Sequence, residues 1–375
     1  MTVAREPVVW REDEVEDVAQ CPVCLAPSCG TPRYLAADPL DRTAPHRWSI
    51  YSCGTCASVY LSPRPTPAAI GRAYGSYYTH EPIRIALESS YVRRLRVKLR
   101  NGYLNTRHRY QVTPAFRRCG WLLFRTLPPL AIRSDFWIRH LSFNRDNPRL
   151  LDVGCGNGQL IAHFRDLGWH VEGVDSDPRA VQAARETGLT CHVDALGHLS
   201  DGLPQRYHAV TLSHVIEHCH DPRASLLDAW RLLEPGGVIW IATPNASSVG
   251  LRLFRSSWRG LEPPRHMTVL SMMGLRRLIQ ETGFINIRTP VCPPRASWYF
   301  KASRGVEAGS EGQRMPSARD IAVHCIARVA DVFGYLFATT REETVIVAEK
   351  PANDRDRAPF CAEAVQARVG APERG

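Results

Sequence analysis

Between Arg149 and Glu349 the apolar positions follow two alternating rhythms. Short, nearly unbroken apolar runs rich in Val, Ile and Leu predict buried strands over 149–153, 169–174, 189–193, 207–213, 238–242, 284–289 and 343–349. The stretches between them carry apolar residues at helical spacing and predict helices over 158–167, 178–187, 222–233 and 271–282. Asp177-Pro178 starts the second of these with a capping carboxylate and a proline at the first helical position. Strands that alternate with helices pack as a doubly wound sheet with helices on both faces, the α/β class. An amphipathic helix is expected over 318–337, before the last strand, and a polar loop over 303–317.

Upstream the rhythm changes. Residues 66–149 read as helical, broken at Pro114, Pro128 and Pro129. Residues 1–20 read as a loose acidic lead-in, 21–65 as a small cysteine-bearing module and 351–375 as a charged, disordered tail. The expected division is therefore 1–20, 21–65, a basic helical segment 66–148, an α/β domain 149–350 and the tail.

Charge sharpens one part of this picture. The formal net charge is +10, yet fourteen Arg or Lys and two Asp lie between Tyr91 and Arg149, leaving 33 basic against 35 acidic residues elsewhere. One segment sets the basic balance. It is either a solvated helical face or a surface for anionic substrates or membrane headgroups. Residues Met1–Glu16 are polar and acidic rather than basic then apolar, and no run of 18 apolar residues occurs, so neither a secretory leader nor a spanning helix is expected. The expected location is cytoplasmic, with candidate peripheral contact at the inner face of an anionic membrane through the basic segment and the 318–337 helix.

The candidate chemistry centres on Leu150-Leu-Asp-Val-Gly-Cys-Gly-Asn-Gly-Gln-Leu160. A strand, a glycine turn and a helix start in succession make a cradle for a small polar ligand, because backbone N–H groups point into it and bare glycines permit close approach. The spacing Asp152-x-Gly154-x-Gly156-x-Gly158 is not the G-x-G-x-x-G of dinucleotide sites. It resembles the first motif of class I S-adenosylmethionine-dependent methyltransferases. Gly173-Val-Asp175, His214-Val-Ile-Glu217-His218, Leu232-Leu-Glu-Pro-Gly-Gly237 and Pro264-Arg-His266 follow in that family's order, and together they resemble the branch of ubiquinone-type O-methyltransferases and bacterial sugar or natural-product methyltransferases.

The resemblance implies a seven-stranded Rossmann-like sheet whose last strand, 343–349, inserts antiparallel beside the fifth. It also implies S-adenosylmethionine as cofactor, with Asp152, Gly154, Cys155, Gly156 and Gly158 around its amino-carboxylate end, and Ser213 and His214 packed near it. Asp175, at the end of the second strand, can accept from both ribose hydroxyls, and Asp194, followed by Ala195, from the adenine amino group. Cys155 fits as a small side chain in a crowded turn. The chain departs from the family at Tyr207-His208, where an aromatic-Asp pair usually opens the fourth strand; the expected effect is on local packing.

Sites in open α/β sheets lie beyond the carboxyl ends of the strands. His218, His266 and Glu217 are therefore the candidate catalytic residues, with Arg265 beside them as a partner for an anionic group. His218 either faces the acceptor or hydrogen-bonds the backbone. His214-x-x-Glu217-His218 also spells the inverted zinc-protease pattern, which is rejected because Asp221-Pro222 interrupts the helix that a zinc pair needs.

Cys21-Pro-Val-Cys24 and Cys53-Gly-Thr-Cys56 are two C-x-x-C knuckles whose four thiolates can hold one structural Zn²⁺. Disulfides or vacant thiols are the alternatives, and Cys29 is a spare. With Tyr60-Leu-Ser-Pro-Arg-Pro65, these knuckles resemble the N-terminal zinc-binding module of some sugar C-methyltransferases. The expected partner is a small-molecule acceptor: a sugar or glycan precursor, a lipid or quinone, or a secondary metabolite, methylated on oxygen or carbon. The alternative is a nucleic-acid (RNA) methyltransferase that grips phosphates with the knuckles and basic helices. Against it, the fourth strand ends in Leu212-Ser-His-Val215 rather than an Asn/Asp-Pro-Pro-aromatic run. A third alternative, a non-enzymatic protein with a relic cofactor fold, conflicts with the intact glycines and Asp175.

Overall fold

Five short strands come first: β1 (Val15–Glu16), β2 (Tyr34–Ala37), β3 (Arg47–Ser52), β4 (Val59–Leu61) and β5 (Arg64–Pro65). Helices α1 (Tyr91–Arg107), α2 (Arg117–Thr126) and α3 (Pro128–Trp137) follow. The alternating region then runs β6 (Arg149–Val153), α4 (Gln159–Asp166), β7 (His170–Asp175), α5 (Pro178–Glu186), β8 (Cys191–Val193), β9 (Tyr207–Ser213), α6 (Pro222–Leu232) and β10 (Leu233–Pro244). It closes with α7 (Val249–Phe254), β11 (Thr268–Val269), α8 (Met272–Glu281), β12 (Ile285–Arg288), α9 (Ala296–Ala308), α10 (Ala318–Leu336) and β13 (Glu343–Glu349). This computed structural model describes residues 9–28, 30–40, 46–74, 91–194, 207–308 and 317–353; Cys29, Ala195 and most of the tail lie outside them.

Seven strands form one sheet in the order β12-β13-β10-β9-β6-β7-β8. The strands from β6 to β10 run parallel, and β13 runs antiparallel to both β10 and β12. The expected strands are all present, and the last one inserts beside the fifth. Both faces of the sheet are covered, so the strands read as continuous apolar runs: Leu150, Leu151, Val210, Leu212, Ile239, Ile241 and Ile346 are inaccessible to solvent. Each such side chain contributes about 1.5–3 kcal/mol relative to leaving it exposed. The antiparallel insertion has a consequence for function. Glu343, the first residue of β13, lies opposite Pro244, the last residue of β10, and therefore at the carboxyl edge of the sheet.

A second sheet, β11-β4-β3-β2, joins the N-terminal strands to the α/β region. Thr268 pairs with Tyr60 and Val269 with Val59, so the segment that carries His266 returns directly into the cysteine module. Cys21, Val23, Cys53, Cys56 and Tyr60 share a packed cluster with Leu270, Leu275 and Ile279. Within the expected lead-in, Val15–Glu16 pairs with Arg64–Pro65.

The prolines of the basic segment act as punctuation. Pro114 lies between α1 and α2, and Pro128 is the first residue of α3, where its missing N–H costs nothing. α1 and α2 cross closely: a Cβ at Gly120 would lie 2.1 Å from the carbonyl oxygen of Leu99. The sequence reading differs from the structure at two places. The predicted loop over 303–317 begins as helix, α9, which runs to Ala308 because Tyr299, Phe300 and Ser303 are buried in it. The Leu-Glu-Pro-Gly-Gly turn is absorbed into β10 as an irregularity between Leu233 and Val238. His208, the departure from the family pattern, accepts from the Arg149 backbone N–H at 3.0 Å and faces Glu234, at the opposite end of the strand from His214.

Candidate active site

The glycine turn takes the shape its composition demands. Gly154, Gly156 and Gly158 all have positive φ, at 70°, 54° and 81°. Gly158 is also closely packed, since a Cβ there would lie 2.5 Å from a Leu189 methyl and 3.0 Å from the Ala184 Cβ. In front of Gly156 the space is open, with nothing within 4 Å of where a Cβ would stand. The turn is thus packed from behind and clear on the side where a ligand would lie. Cys155 packs against Gly173, and its thiol is pushed up by the neighbouring Cys191 thiol and by burial, so it is inert.

Asp175 fixes the turn to the second strand. One carboxylate oxygen accepts from the Gly156 N–H at 2.8 Å and the other from the Asp177 N–H at 2.9 Å. Asp194 lies alongside, its N–H donating to the Asp175 carbonyl at 3.1 Å. Asp152 is buried beneath the turn and accepts from the Thr211 hydroxyl at 2.6 Å; burial raises its carboxyl to about 6. These contacts bring Asp152, the glycine turn, Asp175 and Asp194 together at the carboxyl edge of the sheet, and the open face at Gly156 with the Asp175 carboxylate beside it fits a polar end of S-adenosylmethionine. Ala195 lies outside the described residues.

The segment after β9 closes over the same edge, for a Cβ at Gly154 would lie 2.5 Å from Val215. His214 adopts a positive φ of 57° and sits between two carboxylates: Nδ1 is 3.1 Å from Glu217 and Nε2 is 3.4 Å from Glu343. Burial works against a charged ring, but the two carboxylates outweigh it and raise His214 to about 10. His214 is therefore an imidazolium at neutral pH. Glu217 is fully buried, accepts from the Thr243 hydroxyl at 2.9 Å and, despite burial, is lowered to about 2 by His214.

His218 and His266 meet with ring centroids 4.7 Å apart. His218 Nδ1 lies 3.0 Å from the Arg265 carbonyl and His266 Nδ1 lies 2.8 Å from the Gly260 carbonyl. A carbonyl only accepts, so each Nδ1 carries the proton and each Nε2 is left as the basic nitrogen. Burial lowers His266 to about 4, which keeps it neutral. One ligand atom each from Glu217, His218 and His266 lie within 4.8 Å of one another, a spacing compatible with a divalent cation. Arg265 is not turned toward a ligand. It is buried and spends its guanidinium on Glu262 at 3.0 Å and on Asp38 of the cysteine module at 3.1 Å.

Sequence reasoning missed two residues here. Glu343 carried no signal except its place at the head of an apolar strand that was expected to run antiparallel. Arg139 was one charge among fourteen. It is buried, donates to Ser213 at 3.5 Å, stacks over Trp240 at 4.2 Å and leaves its Nε without a partner among the described residues. A buried, incompletely satisfied guanidinium beside Ser213 suits a carboxylate.

The four module cysteines form a separate constellation. Cys21 and Cys56 sulfurs lie 3.6 Å apart, Cys24 and Cys53 3.5 Å, and all four lie within 4.8 Å of one another. A disulfide needs about 2.05 Å. A tetrahedral zinc with bonds of about 2.3 Å sets its sulfurs roughly 3.8 Å apart, which this donor set fits.

A family model described as a methyltransferase domain matches residues 131–289. The chain is 34% identical over 111 residues to a ubiquinone biosynthesis O-methyltransferase of Xanthomonas oryzae pv. oryzae (strain PXO99A), covering 28% of this chain and 46% of that protein. It is 30% identical over 128 residues to the like-named protein of Xylella fastidiosa (strain M23), covering 32% and 51%. The chain thus spans about half the length of the curated relatives it matches. Among solved structures it is similar to a SAM-dependent methyltransferase from Archaeoglobus fulgidus (17% identity, 61% of this chain and 99% of that one, TM-score 0.41). It is also similar to phosphoethanolamine N-methyltransferase 2 of Haemonchus contortus in complex with S-adenosyl-L-methionine (15% identity, 78% and 63%, TM-score 0.43).

Proposed function

We propose that the chain, whose residues 131–289 match a methyltransferase-domain family model, transfers a methyl group from S-adenosylmethionine to an oxygen or carbon of a small molecule. The cofactor supplies an electrophilic methyl on a sulfonium. The observation that carries the reading is the shared edge: the glycine turn clamped by Asp175, and the His218–His266 pair held beyond it by Val215 against Gly154.

In this reading Asp152, Gly154, Cys155, Gly156 and Gly158 shape the amino-carboxylate pocket, with Arg139 and Ser213 at its carboxylate. Asp175 takes the ribose, and Asp194 and Ala195 the adenine. His214, locked as a cation, does not remove a proton; it anchors Glu217 and Glu343 and fixes the floor of the site. His218, half-buried and with no hydrogen-bond partner on Nε2 among the described residues, takes the proton from an acceptor hydroxyl or activated carbon, and neutral His266 holds it in place. Glu217 orients rather than reacts, since both its oxygens are engaged. The printed names of the relatives favour oxygen as the acceptor atom and a quinone-type phenol as the acceptor.

Cys21, Cys24, Cys53 and Cys56 hold a structural zinc in this reading. The chain divides into lead-in 1–20, zinc-ribbon-like module 21–65, basic helical segment 66–148, methyltransferase domain 149–350 and tail 351–375. It works in the cytoplasm and meets its acceptor in solution or at the inner face of an anionic membrane. Tritiated-methyl transfer to a fractionated cell extract tests the function. The expected result is one labelled small-molecule product, with turnover reduced about 10²–10⁴-fold in His218→Asn while cofactor affinity is kept. Label confined to RNA, or full turnover in the variant, contradicts it.

A further inference from the structure

We propose that the corner formed by α2 and α3 is a docking surface for an anionic phospholipid bilayer. The inference rests on the proposed function only for what the bilayer would deliver. Its support comes from composition and geometry.

From Tyr91 to Ser134 the chain contains eleven Arg or Lys and no Asp or Glu. The corner exposes Arg117, Arg118, Arg125 and Arg133, and none of the four pairs with a carboxylate among the described residues. Basic helices on a protein surface normally alternate with acids that neutralise them, and here the nearest is Asp135, occupied by Tyr103 and His108. Apolar side chains stand among these arginines. Trp121, Leu122, Leu127, Leu130 and Trp137 are all exposed, Leu122 at 58% and Trp137 at 48%. Leu130, Arg133 and Trp137 fall at i, i+3 and i+7 and so share one face of α3.

Exposed leucines and tryptophans interleaved with arginines that have no carboxylate partner among the described residues are costly in water and suited to a headgroup layer. There the indoles sit at the interface, the leucines reach the acyl boundary and the guanidiniums meet phosphate. Among the described residues no helix is long and apolar enough to cross a membrane, so the contact is peripheral.

A second observation points to the headgroup. Arg100, Arg133, Trp137 and His163 line a cleft of about 200 Å³ between α1, α3 and α4. The Nε of Arg100 is buried and has no partner among the described residues. Two guanidiniums and an indole around one opening suit a lipid phosphate. RNA would use the same cations, but it offers nothing to exposed leucines.

The test is co-sedimentation of the full chain with phosphatidylcholine vesicles and with vesicles of equal parts phosphatidylcholine and phosphatidylglycerol, without cofactor or acceptor. Retention is expected on the anionic vesicles alone. Leu122→Asp/Leu130→Asp and Arg118→Gln/Arg133→Gln should each weaken partitioning about tenfold, with thermal melts matching the parent. Equal retention on both vesicle types, or parent-like partitioning of both variants, overturns the proposal. So does RNA that displaces the protein from vesicles and binds the leucine variant as tightly as the parent. Because the readout is binding without turnover, its failure is distinguishable from failure of the methyltransferase reading.

Discussion

His214, itself 40% exposed, is held between the buried carboxylates of Glu217 and Glu343, and this fixes how the site responds to pH. Its folded value is about 10 against an ordinary 6.5, because the carboxylates outweigh burial. A raised value on a base stabilises the fold fully below the ordinary value and loses that stabilisation as pH rises through the folded one. Urea unfolding between pH 6.5 and 10 should therefore show a stability loss that His214→Asn flattens; the same slope in both proteins would contradict the assignment. Part of this row was legible beforehand. His214 and Glu217 stand in a recognisable segment after the fourth strand. Glu343 does not announce itself, because Glu342 and Glu343 look alike in sequence. Pleating sends them apart: Glu342 accepts from the Gly250 N–H and the Trp258 indole, while Glu343 faces His214. Arg265 shows the reverse error. An arginine beside a candidate histidine invites a ligand, but its partner, Asp38, is 227 positions away and cannot be read from local pattern.

At the scale of elements, the short strand β11 links the two halves of the chain. It follows His266 by two residues and pairs with β4 of the cysteine module. Ser271, which caps α8, accepts no help from its own helix alone: its N–H donates to the Ser58 hydroxyl at 3.0 Å, and its hydroxyl donates to the Cys56 carbonyl. The cysteine knuckles therefore brace the strand that positions His266. Stripping the metal with a chelator should lower the melting temperature and, well below that temperature, reduce turnover more than cofactor affinity. Unchanged melting after complete metal removal would argue against a structural zinc. The central sheet strands β6, β9, β10 and β13 were readable because each carries a buried apolar run, whereas β12 alternates half-buried and exposed residues. β11, two residues long, has no periodicity to read, and α9 was hidden by the polar residues after Ser303. Both are set by packing between segments far apart in sequence.

At the scale of the whole molecule, one sheet edge gathers contributions from every part of the chain. The α/β region supplies the glycine turn and the post-β9 segment, the closing strand supplies Glu343, the turn after α3 supplies Arg139, and the module supports His266 through β11. The central claim is that this edge binds S-adenosylmethionine through the turn and Asp175. Calorimetric titration of the full chain with S-adenosylmethionine tests it most directly. The account predicts one site per chain, with affinity reduced at least about tenfold in Asp175→Ala, which loses charge-assisted hydrogen bonds to the ribose and to the Gly156 N–H. Absence of binding by the parent chain, or equal affinity in the variant, would contradict it.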